Sequence, residues 1–271
     1  MAEWTPEQLQ RLQQTEMEML ALLDRICTEH GIRYYLAAGT CLGAMRHAGM
    51  IPWDDDIDVY LHREEYEKLA KILPGALPSG YFYQSADTDP AYLYPFAKIR
   101  KDGTAFVQEA LRDLPMHHGI YIDLFPVDGA PKNAILRQWQ RVKMFFLKRV
   151  SIGHILPRKA ERVAYGLLYK LVPRVKWQKL YDRYCQRYDS RKTGYSLCAA
   201  SDYAYRRELV HREVYGEGKR VPFGELLLPV PDDAETYLTT MYGDWRTPPP
   251  PEARLSQHAP WRISFDEKYH P

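Results

Sequence analysis

Residues 34–61 read YYLAAGTCLGAMRHAGMIPWDDDIDVYL, and the fold turns on how this stretch is divided. Tyr34 to Ala38 is short, mostly apolar and partly aromatic, the pattern of a half-buried strand. Gly39-Thr40 breaks it, and Thr40 is placed to cap a one- or two-turn helix through Cys41–His47. Gly49 stands where that helix needs a residue tolerant of left-handed backbone. After Ile51-Pro52-Trp53 come four carboxylates, Asp54, Asp55, Asp56 and Asp58, and then Val59-Tyr60-Leu61 as strand.

Spacing carries the chemistry. Residues i and i+2 of a strand share a face, with Cα atoms about 6.5 Å apart. Asp56 and Asp58 therefore converge, and Ile57 turns to the apolar side. Two ionised carboxylates at one spot raise each other's pKa. A hard divalent cation relieves that repulsion, and Mg²⁺ binds through a few carboxylates together with phosphate oxygens and water. The turn and helix start that precede them supply backbone N–H groups and a positive dipole end, a seat for phosphate. An anion seat facing a carboxylate pair is what metal-assisted phosphoryl transfer requires.

The motif GTCLGAMRHAGMIPWDDDIDV resembles the signature of LicD-type proteins, which share a nucleotidyltransferase fold and include phosphocholine transferases and fukutin-related transferases of sugar- and polyol-phosphates. PFAKIRKDGTAF (95–106) and GIYIDLFPVDGAP (119–131) match in the expected order, and LLLPVPDDAETYLTTMYGDWRTPPP (226–250) matches more weakly. The resemblance implies an α/β (α+β) fold, a nucleotidyltransferase-like mixed sheet flanked by helices with a basic helical lobe. It implies a donor and phosphate site around Gly39, Thr40, Gly43 and Arg46, and a C-terminal end that borders the donor pocket, with Trp245 against it.

Two further strands carry candidates. In Tyr94–Arg100, Lys98 and Arg100 alternate with Ala97 and Ile99 and would share a face, able to meet anionic phosphate as point charge and fork. A solvated strand edge is the other reading; the resemblance favours Lys98, then Arg100, as phosphate ligands. In Gly119–Phe125, Asp123 sits among Ile120, Tyr121, Ile122, Leu124 and Phe125, and an ionised Asp there is costly unless paired or metal-bound. If this strand lies beside the one carrying Asp58, Asp123 completes a carboxylate triad. In nucleotidyltransferase-like sites the third carboxylate binds metal and accepts the proton of the attacking hydroxyl. A purely structural hydrogen-bonding Asp123 is the alternative. Asp128, after Pro126, reads as a turn or cap residue.

The chain has 271 residues and a formal net charge of +2, enough for one sizeable core. The charge is unevenly spread. Residues 132–192 hold 17 Lys/Arg against three acids, leaving 20 basic and 32 acidic residues elsewhere. We divide the chain into a catalytic core with an N-terminal helix (1–131), a basic helical lobe (132–192) and a part completing the donor pocket (193–271). Within the core, Pro6 to about His30 is a helix with an apolar stripe, started by Thr5-Pro6-Glu7 and ended at Gly31. Arg63–Ile72 is a second, stopped by Leu73-Pro74-Gly75. Tyr81–Gln84 is a strand, and Thr104 and Phe106 begin another.

The lobe reads as two or three helices whose apolar surfaces are flanked by Lys and Arg. Such helices lie on anionic membranes or pack ordinarily with solvated charged faces, and no nucleic-acid-binding module is visible. Cys27, Cys41, Cys185 and Cys198 show no metal spacing and are expected as reduced thiols. Met1–Gln14 is polar and no apolar run approaches the roughly 20 residues of a membrane span, so a cytoplasmic protein, peripheral at most on the membrane's inner face, is expected. Arg254, His258 and Trp261 read as tail residues outside the site.

Taken with the resemblance, these residues describe a transfer of a phospho-alcohol, phosphocholine foremost, from a CDP-activated donor to a hydroxyl of a cell-surface glycan or polyol, free or lipid-linked, with release of CMP. Asp56, Asp58 and Asp123 would hold one or two Mg²⁺ (or Mn²⁺) ions, and Asp123 would activate the acceptor. Two readings stay open beside it: transfer of a nucleotidyl group from an NTP with release of pyrophosphate, and a non-catalytic module holding a glycan or partner.

Overall fold

The computed structural model describes residues 4–153, 159–254, 258 and 260–271. The chain opens with α1 (Pro6–Glu29), whose start is closed reciprocally: Gln8 N–H donates to Thr5 Oγ1 and Thr5 N–H to Gln8 Oε1, each at 3.2 Å. This capping box with Pro at the first turn satisfies amides that a helix start leaves orphaned. Its apolar stripe, including Leu12, Met19, Leu23 and Ile26, is buried in the main core.

Strand β1 (Tyr35–Leu36) leads into α2 (Ala38–His47), followed by β2 (Asp58–His62), α3 (Arg63–Ala76), β3 (Tyr81–Gln84), β4 (Ala97–Lys101), β5 (Ala105–Val107) and β6 (Tyr121–Gly129). Residues 132–192 form α4 (Ala134–Ser151), α5 (Lys159–Leu171) and α6 (Arg174–Cys185). After these come α7 (Ser190–Thr193), β7 (Tyr195–Leu197), α8 (Tyr205–Glu208), β8 (Leu209–His211), the hairpin of β9 (Lys219–Phe223) and β10 (Leu226–Val230), α9 (Ala234–Tyr242) and β11 (Arg262–Ser264).

The central sheet runs β1-β2-β6-β4-β3, with β7 and β8 added beyond the end of β6. It is mixed: β2 and β6 are parallel, and β1–β2, β4–β6 and β3–β4 are antiparallel. Helices flank it, as expected of a nucleotidyltransferase-like α/β domain. Strand β6 is central and buried throughout, which is why its sequence is a nearly continuous apolar run rather than an alternation.

Four local expectations are corrected. The first strand is only Tyr35–Leu36, and α2 begins at Ala38 with Ala37 as a cap that offers no side chain. Thr40 lies inside the helix; its hydroxyl receives the Asp58 N–H at 2.8 Å instead of capping. The left-handed residue closing α2 is Ala48 (φ 52°), not Gly49. Helix α3 runs through Pro74 to Ala76, because a proline in the last turn forfeits a single backbone bond near an end that frays in any case.

Asp128 needs correcting as well. It is buried in β6 and takes a bidentate bond from Arg63, Nε and Nη2 at 2.8 and 2.7 Å, while Arg63 Nη1 also reaches Asp182 at 3.0 Å. The pair ties β6 to α3 and α6. Its partner lies 65 residues away, which is why position after a proline suggested only a turn.

Candidate active site

The register of β2 against β6 puts Asp58 beside Asp123. Because neighbouring strands lie about 4.8 Å apart, the two carboxylates leave the sheet side by side. Asp123 N–H donates to Ile57 O at 2.9 Å, extending the pairing one residue upstream of β2. Asp56 precedes the strand, and Asp54, Asp56 and Asp58 line a cleft, whereas Asp55 and Ile57 are fully buried and do not line it.

The cleft has a volume of about 600 Å³, the size of a small-ligand site. The acids and Lys98 are joined in its lining by aromatic side chains, including Trp53, Tyr94, Tyr203, Tyr242 and Trp245. Tyr203 and Tyr242 share a hydroxyl–hydroxyl bond of 2.9 Å. Gly39 and Arg46 also line the cleft.

Electrostatics here are frustrated. Burial, then Asp56 and Asp123, push the Asp58 carboxyl well up, and burial, then Asp56 and Asp55, do the same to Asp54. Asp56 is also raised by burial, with His258 pulling the other way. Beneath them Glu16 of α1 is buried and raised by burial and by Asp56, and its Oε2 has no partner among the described residues. Lys98 faces Asp123 across β4 and β6, its Nζ bonded to Asp123 Oδ1 and seated 3.5 Å above the Tyr121 ring. Burial lowers its pKa to about 8 against the pull of Asp123.

Of the expected donor-site residues, Lys98, Arg46 and Gly39 are in the cleft, and three are elsewhere. Arg100 is enclosed behind Tyr121: its Nε donates to Gln84 Oε1 (2.6 Å), its Nη1 to Gly119 O (2.7 Å), and the guanidinium lies over the ring at 4.6 Å. Two of its donors are engaged inside the core, and the buried side chain does not line the cleft. Thr40 is committed to Asp58. Gly43 permits packing: a Cβ there would meet Gly49 O at 2.5 Å. The open helix N-terminus is also revised, since a Cβ on Gly39 would stand 2.8 Å from Asp54 Oδ2. Glycine lets that carboxylate approach the first turn of α2, where the dipole favours it.

Nor is the triad closed. Among the described residues, the acidic or histidine group whose ligand atoms all lie within 4.8 Å of one another is Asp55, Asp56 and His258, not Asp56, Asp58 and Asp123. Like charges part, and each outer acid takes the nearest cation: Asp123 has Lys98, and His258 Nδ1 is 3.3 Å from Asp56 Oδ2 and 3.4 Å from Asp55 Oδ1. Asp58 is left between them without a hydrogen-bond or ion-pair partner for its carboxylate among the described residues. Carboxylate oxygens suit a hard divalent cation, and Asp58 would be its first ligand, with Asp56 and Asp123 able to join only on leaving His258 and Lys98.

His258 was passed over as a tail residue, and so was Arg254. His258 N–H donates to both Asp55 oxygens (3.3 and 3.1 Å), and Trp4 Nε1 donates to Asp55 Oδ2 at 3.0 Å. Burial draws the imidazole's pKa down, yet bonding to Asp55 and the charge of Asp56 hold it up at about 10. Arg254 stacks over Trp53 at 4.9 Å. A separation of some 200 residues left no local signal for either.

Fold and cleft are those of a nucleotidyltransferase-like domain, and the proteins it resembles support a phosphotransferase. Residues 31–143 match the family described as LicD/FKTN/FKRP, nucleotidyltransferase domain. The chain is similar to the lipopolysaccharide cholinephosphotransferase LicD of Haemophilus influenzae, 29% identical over 259 residues that cover 91% of this chain and 96% of that protein. A shorter stretch of 63 residues is 38% identical to the ribitol 5-phosphate transferase FKRP of Homo sapiens and of Mus musculus, covering 23% of this chain and 12% of each relative.

Proposed function

We propose that this protein transfers a phospho-alcohol, phosphocholine foremost, from a CDP-activated donor to a hydroxyl of a glycan or polyol. The observation that carries this reading is the β2–β6–β4 register, which sets Asp58, Asp123 and Lys98 abreast in one aromatic cleft. Aromatic faces suit both a pyrimidine ring and a quaternary ammonium, which ring quadrupoles attract.

Asp56, Asp58 and Asp123 would hold Mg²⁺ or Mn²⁺, one or two ions, whose bound charge would neutralise the donor diphosphate and the transferring group. Lys98 and Arg46, which both line the cleft, add positive charge. Asp123 takes the proton of the acceptor hydroxyl, whose oxygen then bonds to the phosphorus carrying the alcohol. The bond from that phosphorus to the oxygen of CMP breaks, and CMP departs with the electron pair. The protein's contribution is position and charge. A glycan precursor borne on lipid, in lipopolysaccharide or teichoic acid assembly, is an acceptor compatible with this chemistry, and work on it would hold the protein in the cytoplasm at the membrane's inner face.

The product decides. With CDP-choline, Mg²⁺ and a glycan acceptor, CMP and a phosphocholine-bearing glycan are expected. Pyrophosphate released from CTP, with CDP-choline inert, would replace this reading with nucleotidyl transfer.

A further inference from the structure

Helix α4 has two apolar faces, and only one is used. Met144 and Gln140 are buried, Gln140 Nε2 donating to Gly129 O at 3.1 Å. On the opposite side Ile135, Trp139, Val142 and Phe146 are 69%, 61%, 54% and 57% exposed. Their spacing of four, three and four residues makes one continuous stripe. A stripe of this size, with an indole in it, is uncommon on a protein surface that meets only water.

Its surroundings are cationic. Arg141 and Lys143 are exposed on the same helix, and the three acids of residues 132–192 are each engaged by arginine: Glu161 by Arg149, Asp182 by Arg63 and Asp189 by Arg191. A second groove, of about 650 Å³, opens beside α4 between Arg141, Val142 and Phe145 and the segment Ser201, Asp202 and Tyr203. Those last three residues also line the catalytic cleft. The groove, which Val142 of the stripe also lines, therefore shares part of its lining with the cleft.

We propose that the exposed face of α4 docks on an anionic lipid bilayer, with Ile135, Trp139, Val142 and Phe146 in the interface and Arg141 and Lys143 against acidic headgroups. An apolar stripe with basic flanks is the charge complement of such a surface. A second copy of the chain is the poorer occupant, because its α4 would bring the same basic flanks and no free acid to meet them. Docked in this way, the groove opens along the bilayer toward the cleft. This inference rests on α4 alone and not on the reaction.

The test is co-sedimentation of the full chain with vesicles of phosphatidylcholine alone or mixed with phosphatidylglycerol. Binding to the mixed vesicles that weakens with salt is expected, with little binding to neutral ones. Trp139→Ser/Phe146→Ser and Arg141→Ser/Lys143→Ser should each weaken binding about tenfold or more. Turnover on a water-soluble acceptor should be unchanged in both, which separates failure of docking from failure of the chemistry. All four side chains are exposed, so melting temperatures should match the parent. Wild-type protein left in the supernatant, or a Trp139→Ser/Phe146→Ser variant that sediments like the parent, would overturn the proposal. So would a dimer in analytical ultracentrifugation that this variant dissociates.

Discussion

Lys98 and Asp123 are direct partners on antiparallel β4 and β6, and the lysine Nζ bonds the carboxylate inside the cleft. The site thus holds a built-in counter-ion for one acid and none for its neighbour Asp58. That inequality gives the first two predictions.

Asp58→Asn should abolish turnover, by about a thousandfold or more, if metal-held charge is central, while the fold survives. The Asp58 pKa is raised in the fold, so its ionised form costs stability that is regained only as pH falls below the folded value. The variant, measured at pH 7 without added metal, should therefore melt at or above the parent temperature. Added Mg²⁺ should raise the parent's melting temperature and leave the variant's unmoved. Near-parental turnover would remove Asp58 from the chemistry.

Lys98, at about 8 in the free protein, lies below its unfolded value near 10.4. Its charge is therefore lost as pH rises through about 8. kcat/KM, which reports the free enzyme, should fall over that window, and Lys98→Ala should be slower at neutral pH and lack the fall. The sign for stability is opposite: a buried ammonium is costly, so its contribution improves between about 8 and 10.4. A profile identical in both proteins would count against Lys98 as the cation of the site.

Glu208 is buried beneath the cleft segment, and its Oε1 accepts from both Tyr60 and Ser201 while Oε2 has no partner among the described residues. Burial pushes its pKa up to about 7, against these bonds. The stability it gives is whole below its unfolded pKa near 4.3 and lost as pH rises through about 7, a difference on the order of 4 kcal/mol at most. Denaturant titrations of Glu208→Gln should show a flatter dependence across pH 4–8. An unchanged slope would mean the group stays ionised.

Gly43→Ala would drive a Cβ against the Gly49 carbonyl. Backbone on both sides leaves little room to yield, so a loss of about 1–3 kcal/mol is expected, together with reduced activity from displacement of the loop bearing Asp54 and Asp56. Chemical denaturation and turnover check both. Parental values in both would show that the loop gives way freely.

Sequence alone determined what the backbone's own periods impose. The i, i+2 spacing sends Asp56 and Asp58 to one side and Ile57 to the other, Thr5-Pro6 starts α1, and the apolar run around Asp123 marks a buried strand. An apolar surface on α4 edged by lysine and arginine could also be read, but not which of its residues are buried, as Met144 and Val150 are, and which exposed, as Trp139 and Val142 are. These follow from covalent geometry within a few residues. Tertiary structure decided who meets whom. Arg100 shares a face with Lys98 in the one-dimensional pattern, yet Tyr121, Gln84 and the Gly119 carbonyl enclose it. His258 reaches Asp55 across 203 residues, and Arg63 reaches Asp128 across 65. Such pairings depend on strand order, register and the closing of long loops. None of these leaves a mark in the local spacing of side chains, because the energy that selects them comes from burial shared by the whole core.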